Sequence, residues 1–422
     1  MISRLRNSDF VRHGSFVFAG VVFANFFGYL FYAMLGRRLG VEAYGVVTSL
    51  VSAILVVNSP ALVAQLICAR LSADLEARGD RAALRQLADV VSLGASVAGA
   101  CVIVVGFFLR DDIARYFRLS DSQPIVISLI VLAVYAVVSV QRGVLQGSNR
   151  FGDFSFSLSM EAAIKVVAGV WLAGPLGATG ALIGVAAGSL AAVAYNVRAF
   201  AARFGSLREQ LRLDPALIGR VISHVGLGQL TLVVLSYYDV PLVKHFFDPR
   251  SAGLYASAAL VGRAILAAVS FVPTLIMPKV ASRVAAGHSP LPLLGSAVGL
   301  AAAFIAVALA VIAGAPRFAV TLIAGRAFGD AAPLVLTYAL ASSCLSMAYV
   351  IGAYKMGLHR YDFVIPSFVA AVVEIGVISV WHPSLAAVVE VLAIGHAVVL
   401  VSMLFRVWAT GEKRARGVVP GN

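Results

Sequence analysis

Residues 252–277 read AGLYASAALVGRAILAAVSFVPTLIM, twenty-six positions with a single charge among them. At about 1.5 Å of rise per residue, a helix of this length crosses a hydrocarbon layer about 30 Å thick with tilt to spare. The charge is Arg263, near the middle of the run. A guanidinium at that depth costs about 2.5–3.5 kcal/mol on insertion scales, which directs it to a bundle interior, a water-filled cavity or an anionic partner. One apolar helix cannot enclose such a group, so the remaining chain is expected to build the interior around it.

Composition agrees. The 422 residues are 60% hydrophobic and only 13% charged, with a mean hydropathy of +0.93. A soluble globule of this composition would expose far more apolar surface than it could hide. Charges and turn residues divide the chain into twelve apolar runs, about 14–35, 43–69, 90–109, 124–141, 154–173, 176–197, 218–243, 252–278, 291–315, 331–354, 363–381 and 384–405. They lack the strict alternation of barrel strands, so the expectation is an all-α integral membrane protein. The runs leave no room for a separate soluble domain.

The net charge of +13 would suggest nucleic acid in a soluble protein. Here the Lys and Arg residues cluster in the connectors, where the positive-inside rule expects them, and nucleic acid is not expected as a partner. Counted on alternate sides of twelve spans, 22 fall on the side of the termini and 9 on the other. That asymmetry puts both termini in the cytoplasm. Arg4, Arg6 and Arg12 precede 22 uncharged residues, 14–35, too long for a signal-peptide core, so this run is expected to remain as the first span. Residues 70–89 alternate acidic and basic side chains at helical spacing, which predicts a short solvated helix.

The two halves resemble each other. Tyr44-Gly45-Val46-Val47 falls opposite Ala252-Gly253-Leu254-Tyr255, Ala69-Arg70-Leu71-Ser72 opposite Pro278-Lys279-Val280-Ala281, Pro124 opposite Pro333, and Gly147 to Phe151 opposite Gly357 to Tyr361, all at an offset near 208–210. A duplicated six-helix unit follows. The expected organisation is an N-terminal lobe at 1–203, a cytoplasmic linker at 204–217 and a C-terminal lobe with a short basic tail at 218–422. Six is even, so the lobes are parallel repeats around a central cavity.

Charges that lipid exposure cannot explain are the candidates for chemistry. Glu161 and Lys165 share one helix face and read either as a self-neutralising pair or as cavity groups, with Lys165 meeting an anion. Asp239 precedes Pro241 and is expected at the interface, capping a helix or pairing with Lys244. Glu374 has no basic neighbour one turn away; it is expected to be protonated, paired across helices or used in ion coupling. Arg263 either takes Asp239 or Glu374 as partner or binds a phosphate with its fork of donors. Arg37 and Arg38, with Lys244 and His245 in the equivalent place, form a basic rim or snorkel to the interface. His224, Glu390 and His396 are expected near helix ends or in hydrogen bonds within the bundle. Cys68, Cys101 and Cys344 lie singly in apolar runs and read as packing residues. No nucleotide loop, hydrolase motif or metal-ligand spacing occurs in the sequence, so neither a catalytic role nor a cofactor is expected.

Gly36-Arg-Arg-Leu-Gly-Val-Glu-Ala-Tyr-Gly-Val-Val resembles the loop after the first span in the polysaccharide transporter (Wzx-like) flippases of the multidrug/oligosaccharidyl-lipid/polysaccharide exporter superfamily. Asp239 with Ala252-Gly253-Leu254-Tyr255-Ala256, Pro273 and Pro278, the stretch Leu322 to Phe328 before Pro333, and the turns at Gly147 and Gly357 are similar to that family as well. The resemblance implies twelve helices in two lobes around a cationic cavity. It further implies movement of an undecaprenyl-diphosphate-linked glycan between the leaflets of a bacterial inner membrane, with that glycan lipid, membrane lipids and other polysaccharide-assembly proteins as partners. A cation-coupled multidrug exporter of the same superfamily is the alternative. A glycosyltransferase or polymerase would need a larger outer loop or an acidic catalytic motif.

Overall fold

A computed structural model of the chain describes residues 2–204, 226–285 and 287–415. Every regular element among the described residues is helical. In order these are α1 (Ile2–Val57), α2 (Ser59–Ala77), α3 (Arg81–Phe108), α4 (Arg110–Tyr116), α5 (Gln123–Gly147), α6 (Phe151–Phe204), α7 (Leu227–Tyr237) and α8 (Asp239–Phe246). Then come α9 (Pro249–Val269), α10 (Phe271–Ala285), α11 (Leu291–Gly314), α12 (Pro316–Ile323), a 3-10 turn (Arg326–Ala331), α13 (Ala332–Gly357), α14 (Val364–Val380) and α15 (Leu385–Ala415).

Among the described residues eight helical stretches are long and apolar enough to cross a membrane. Two of them, 19–57 with 39 residues and 151–202 with 52, far exceed the roughly 20 residues that one crossing requires. Each is a pair of spans. The backbone leaves helical geometry at Gly40 (φ 73°, ψ 178°) and at Gly177 (φ 56°, ψ −136°), conformations that a residue without Cβ adopts without strain. Beyond Gly177 the chain returns on itself: a Cβ built on Gly184 would lie 2.1 Å from the Gly169 Cα, and one on Gly188 would meet Glu161 and Lys165. In a straight helix, positions 169 and 184 would be about 22 Å apart. Past Gly40 the Tyr44 ring comes back to within 6.4 Å of Tyr32. With these hairpins resolved the long helices account for ten of the runs read from the sequence, and the shorter apolar helices at 227–237 and 364–380 lie in two more, the first of which begins outside the described residues.

Several boundaries differ from expectation. The run at 43–69 is interrupted at Asn58, just before Pro60, and the run at 252–278 at Ser270, just before Phe271 and Pro273. Residues 70–89 do not form a separate helix; α2 continues to Ala77, Gly79 turns the chain, and the Asp80 carboxylate accepts the Ala83 amide to start α3. Two connector charges lie inside helices, because α5 runs on past Arg142 and α13 past Lys355. At the start of α9, Asp248 accepts the amides of Arg250 and Ser251 at 3.0 Å each. The Ser251 hydroxyl and these amides hold its carboxyl below the usual carboxylate range. The expected linker lies, past its first residue, outside the described residues, as does His224.

The helices gather into two compact units, 1–226 with 323–327, and 227–322 with 328–422. Within each, the same sequence of elements recurs: α2 to α5 of the first correspond to α10 to α13 of the second. The correspondence extends to single residues. Non-glycine residues in the left-handed region occur at Asn149 (φ 56°) and His359 (φ 54°), 210 positions apart. Gly147 packs on the Ala69 carbonyl of its unit, and Gly357 packs on the Met277 carbonyl of the other. The helices are covered unequally: in its apolar window 11% of α3 is buried, against 67% for the stretch that contains α13. For that reason Cys101, on α3, is exposed and departs from its expected packing role, while Cys68 is buried and Cys344 half-buried.

Candidate functional site

In the second unit Arg263 projects from α9 onto Asp239, the first residue of α8. An Arg263 guanidinium nitrogen lies 2.6 Å from Asp239 Oδ1. The other carboxylate oxygen, Oδ2, accepts from the hydroxyls of Tyr255 at 3.0 Å and Tyr338 at 2.6 Å. The Tyr237 ring centre is 4.9 Å from the Arg263 Cζ. Asp239 is 1% exposed, so a charge there requires just such a set of donors, a cation and two hydroxyls. Of the partners expected for Arg263, the structure selects Asp239; Lys244, expected on an exposed rim or beside Asp239, is instead buried.

One residue before Asp239 the network continues. The Tyr238 hydroxyl donates to Glu374 Oε1 at 2.7 Å, and His396 Nε2 lies 3.6 Å from the same oxygen. The His396 Nδ1 is 3.1 Å from the Ala341 carbonyl, which can only accept, so Nδ1 carries a hydrogen. In the neutral ring Nε2 is then a bare lone pair facing a carboxylate oxygen. Glu374 Oε2 has no hydrogen-bond partner among the described residues and is pressed against the backbone at Gly395. The Glu374–His396 pair can therefore take up one proton. His396 thus hydrogen-bonds within the bundle as expected, and Glu374 is paired across helices.

In the first unit Glu161 Oε2 lies 2.6 Å from the Arg142 guanidinium. Ser189 donates to its Oε1 at 3.4 Å, and Arg142 reaches Ser157 at 3.4 Å. Of the two readings of Glu161 and Lys165, the ion pair within one helix is the one corrected: Glu161 takes Arg142, and the Lys165 Nζ sits 5.3 Å from the centre of the Phe31 ring. A side-chain relay lies nearby, Asn196 donating to Gln141 at 3.2 Å and Gln141 to Ser92 at 3.3 Å. Arg37 and Arg38, beside the turn at Gly40, are both exposed. Arg37 donates to the Ala33 carbonyl at 2.6 Å, and the Arg38 guanidinium lies against Gly174. Among the described residues no cluster of His, Cys, Asp and Glu could hold a metal ion.

The two units stay in register around these networks, but the polar groups themselves are not shared. Lys165 and Glu374 are 209 positions apart, and the small residues packed against them, Gly188 and Gly395, are 207 apart. At the same offset of 207–209, Phe31 stands where the second unit has Asp239, Val47 where it has Tyr255, and Leu129 where it has Tyr338. The polar cluster around Asp239 therefore belongs to the second unit's own sequence.

No family model and no curated protein matches the sequence. Solved structures do. An inward-facing multidrug resistance MATE family transporter of the MOP superfamily matches with a TM-score of 0.75 at 13% identity, over 95% of this chain and 96% of that one. The fold is that of such transporters. The eukaryotic MATE transporter AtDTX14 matches with a TM-score of 0.68 at 14% identity, over 94% of this chain and 95% of its own. The lipid II flippase MurJ, in an inward closed conformation, gives 0.67 at 12%, over 94% and 87%. At these identities the likeness carries architecture, a multi-pass membrane fold of about twelve helices, and no residue roles.

The sequence reading had no means of finding Tyr238, Tyr255 and Tyr338, because tyrosines in apolar runs are common and carry no charge. The Tyr238-Asp239 dipeptide just before Pro241 is the one local signal, since proline there marks an interrupted helix.

Proposed function

We propose that the chain is a flippase for a lipid-linked oligosaccharide. It moves an anionic diphosphate head group with its sugars from the cytoplasmic to the outer leaflet of a bacterial inner membrane by alternating access, with both termini in the cytoplasm. The observation that supports this reading is Arg263: a permanently charged fork of donors within an apolar span, set among Tyr237, Tyr255 and Tyr338. A guanidinium suits a diphosphate and aromatic rings suit sugar faces. A charged head group excluded by hydrocarbon would cross beside such a cation at a lower barrier. The solved neighbours include a lipid flippase of the same fold. Deleting the gene tests the reading. The expected result is accumulation of a diphosphate-linked glycan lipid on the cytoplasmic leaflet, with unchanged drug sensitivity; normal glycan export together with drug hypersensitivity would overturn it.

A second reading, cation-coupled export of drugs, draws on Glu374. A buried carboxylate with one unbonded oxygen beside His396 is a group that can bind and release a proton as its surroundings change. It is faced by Tyr238 and His396, with Asp239 the residue after Tyr238 and Arg263 its partner from α9. Glu374→Gln keeps an acceptor for Tyr238 and removes the titration. The purified variant is expected to fold as the parent does. If transport is driven by protons, it loses pH-gradient-dependent transport in liposomes by about tenfold or more while binding substrate unchanged; gradient-driven transport at the parental rate would exclude Glu374 from coupling.

A further inference from the structure

On the first unit lies an open apolar groove with a volume of about 480 Å³, walled by the second half of α1, α3, α4 and α5. We propose that it binds one acyl chain of a membrane phospholipid, whose head group rests beside α4. This site is separate from the Asp239 and Glu161 networks and does not depend on the transported substrate.

The walls decide the occupant. Leu50, Ile54, Val105, Phe117, Ile125 and Leu129 give the groove its character. Its one side-chain oxygen, on Ser128, is committed to the Pro124 carbonyl at 2.7 Å. An ordered water needs two to four polar partners, and beyond the acceptor lone pairs of Ser128 these side chains offer none. An empty groove of this size would forfeit the dispersion contacts of its whole lining. Hydrocarbon satisfies the walls without any polar partner.

The mouth decides the source. Val57, Val102 and Val105 are 59%, 39% and 58% exposed, and the apolar surface continues along α3 through Leu93, Val97 and Phe108. A surface so apolar on a membrane-crossing helix is one that lipid covers. At one end of the groove, α4 turns Ile113 inward, with Phe117 just after the helix, while Asp111, Asp112 and Arg115 stay exposed, Arg115 paired with Asp112. A short helix with one apolar and one charged side marks the boundary between hydrocarbon and head groups. An occupant therefore has an apolar chain inside and a polar group at α4, the anatomy of a phospholipid. The corresponding place in the second unit is filled: Ile54 and Leu129 align with Gly262 and Tyr338, and the Tyr338 ring packs directly on Gly262.

Native mass spectrometry of the full-length chain tests the assignment after reconstitution in nanodiscs of phosphatidylethanolamine and phosphatidylglycerol and release into detergent. The expected spectrum shows a one-to-one adduct with the mass of a diacyl phospholipid. Ala53→Phe, which puts a ring into the groove from α1, is expected to lower that adduct about tenfold. Val167→Phe, on the exposed side of α6 and away from the lining, is expected to leave it unchanged and controls for the added ring. Retention of the adduct in Ala53→Phe, equal loss in both variants, no adduct in the parent, or an adduct with the mass of a polyprenyl phosphate would each overturn the proposal.

Discussion

Asp239→Ala is expected to destabilise the protein by about 3–5 kcal/mol, because it leaves a guanidinium buried without its carboxylate and two tyrosine hydroxyls without their acceptor. Thermal unfolding in detergent measures this as a large drop in melting temperature. The double variant Asp239→Asn with Arg263→Met removes both charges, and part of the lost stability, about 1–3 kcal/mol, is expected to return. Stability and transport then separate. If the guanidinium meets a diphosphate, the double variant folds but exports no lipid-linked glycan. Full export by a stable double variant would reduce Arg263 to a counter-ion for Asp239, and the flippase reading would lose its main support.

Gly184→Leu should prevent the hairpin in α6 from closing. Any Cβ there would sit 2.1 Å from the Gly169 Cα and 2.2 Å from its nitrogen, and backbone cannot move aside as a side chain can. Overpacking in cores costs about 1–3 kcal/mol where side chains adjust, and here two helices must separate. Loss of monodisperse protein on size-exclusion chromatography is the expected outcome. Gly28→Leu supplies the contrast, since nothing lies within 4 Å of a Cβ at that position; it is expected to purify at the parental yield. Similar yields for the two would show that the α6 hairpin is not closed as described.

Much of the architecture is legible in the sequence because hydrocarbon imposes a simple rule on it. Runs such as 291–315 must be apolar along their whole length, and interruptions such as Arg110 to Asp121 must fall outside. The duplication is legible for a related reason: turns need particular residues, so Gly147 to Phe151 and Gly357 to Tyr361 keep their pattern. What stays hidden is the choice of partners. Glu161 has Lys165 one turn away on its own helix, yet it takes Arg142, 19 positions earlier, whose place inside α5 depends on the helix running past position 141. The interruptions at Asn58 and Ser270 are faint, because each is a single residue that keeps right-handed backbone angles within an apolar run. Proline at 60 and at 273 is the local mark of both.

The unequal furnishing of the two repeats has one more consequence. Phe31, Val47 and Leu129 cannot gain or lose a proton, whereas their counterparts Asp239, Tyr255 and Tyr338 form a hydrogen-bonded knot one residue from the Glu374–His396 couple. The halves are thus specialised copies rather than interchangeable modules. A tandem of two N-terminal halves would lack every one of these titratable groups, and a tandem of two C-terminal halves would carry them twice.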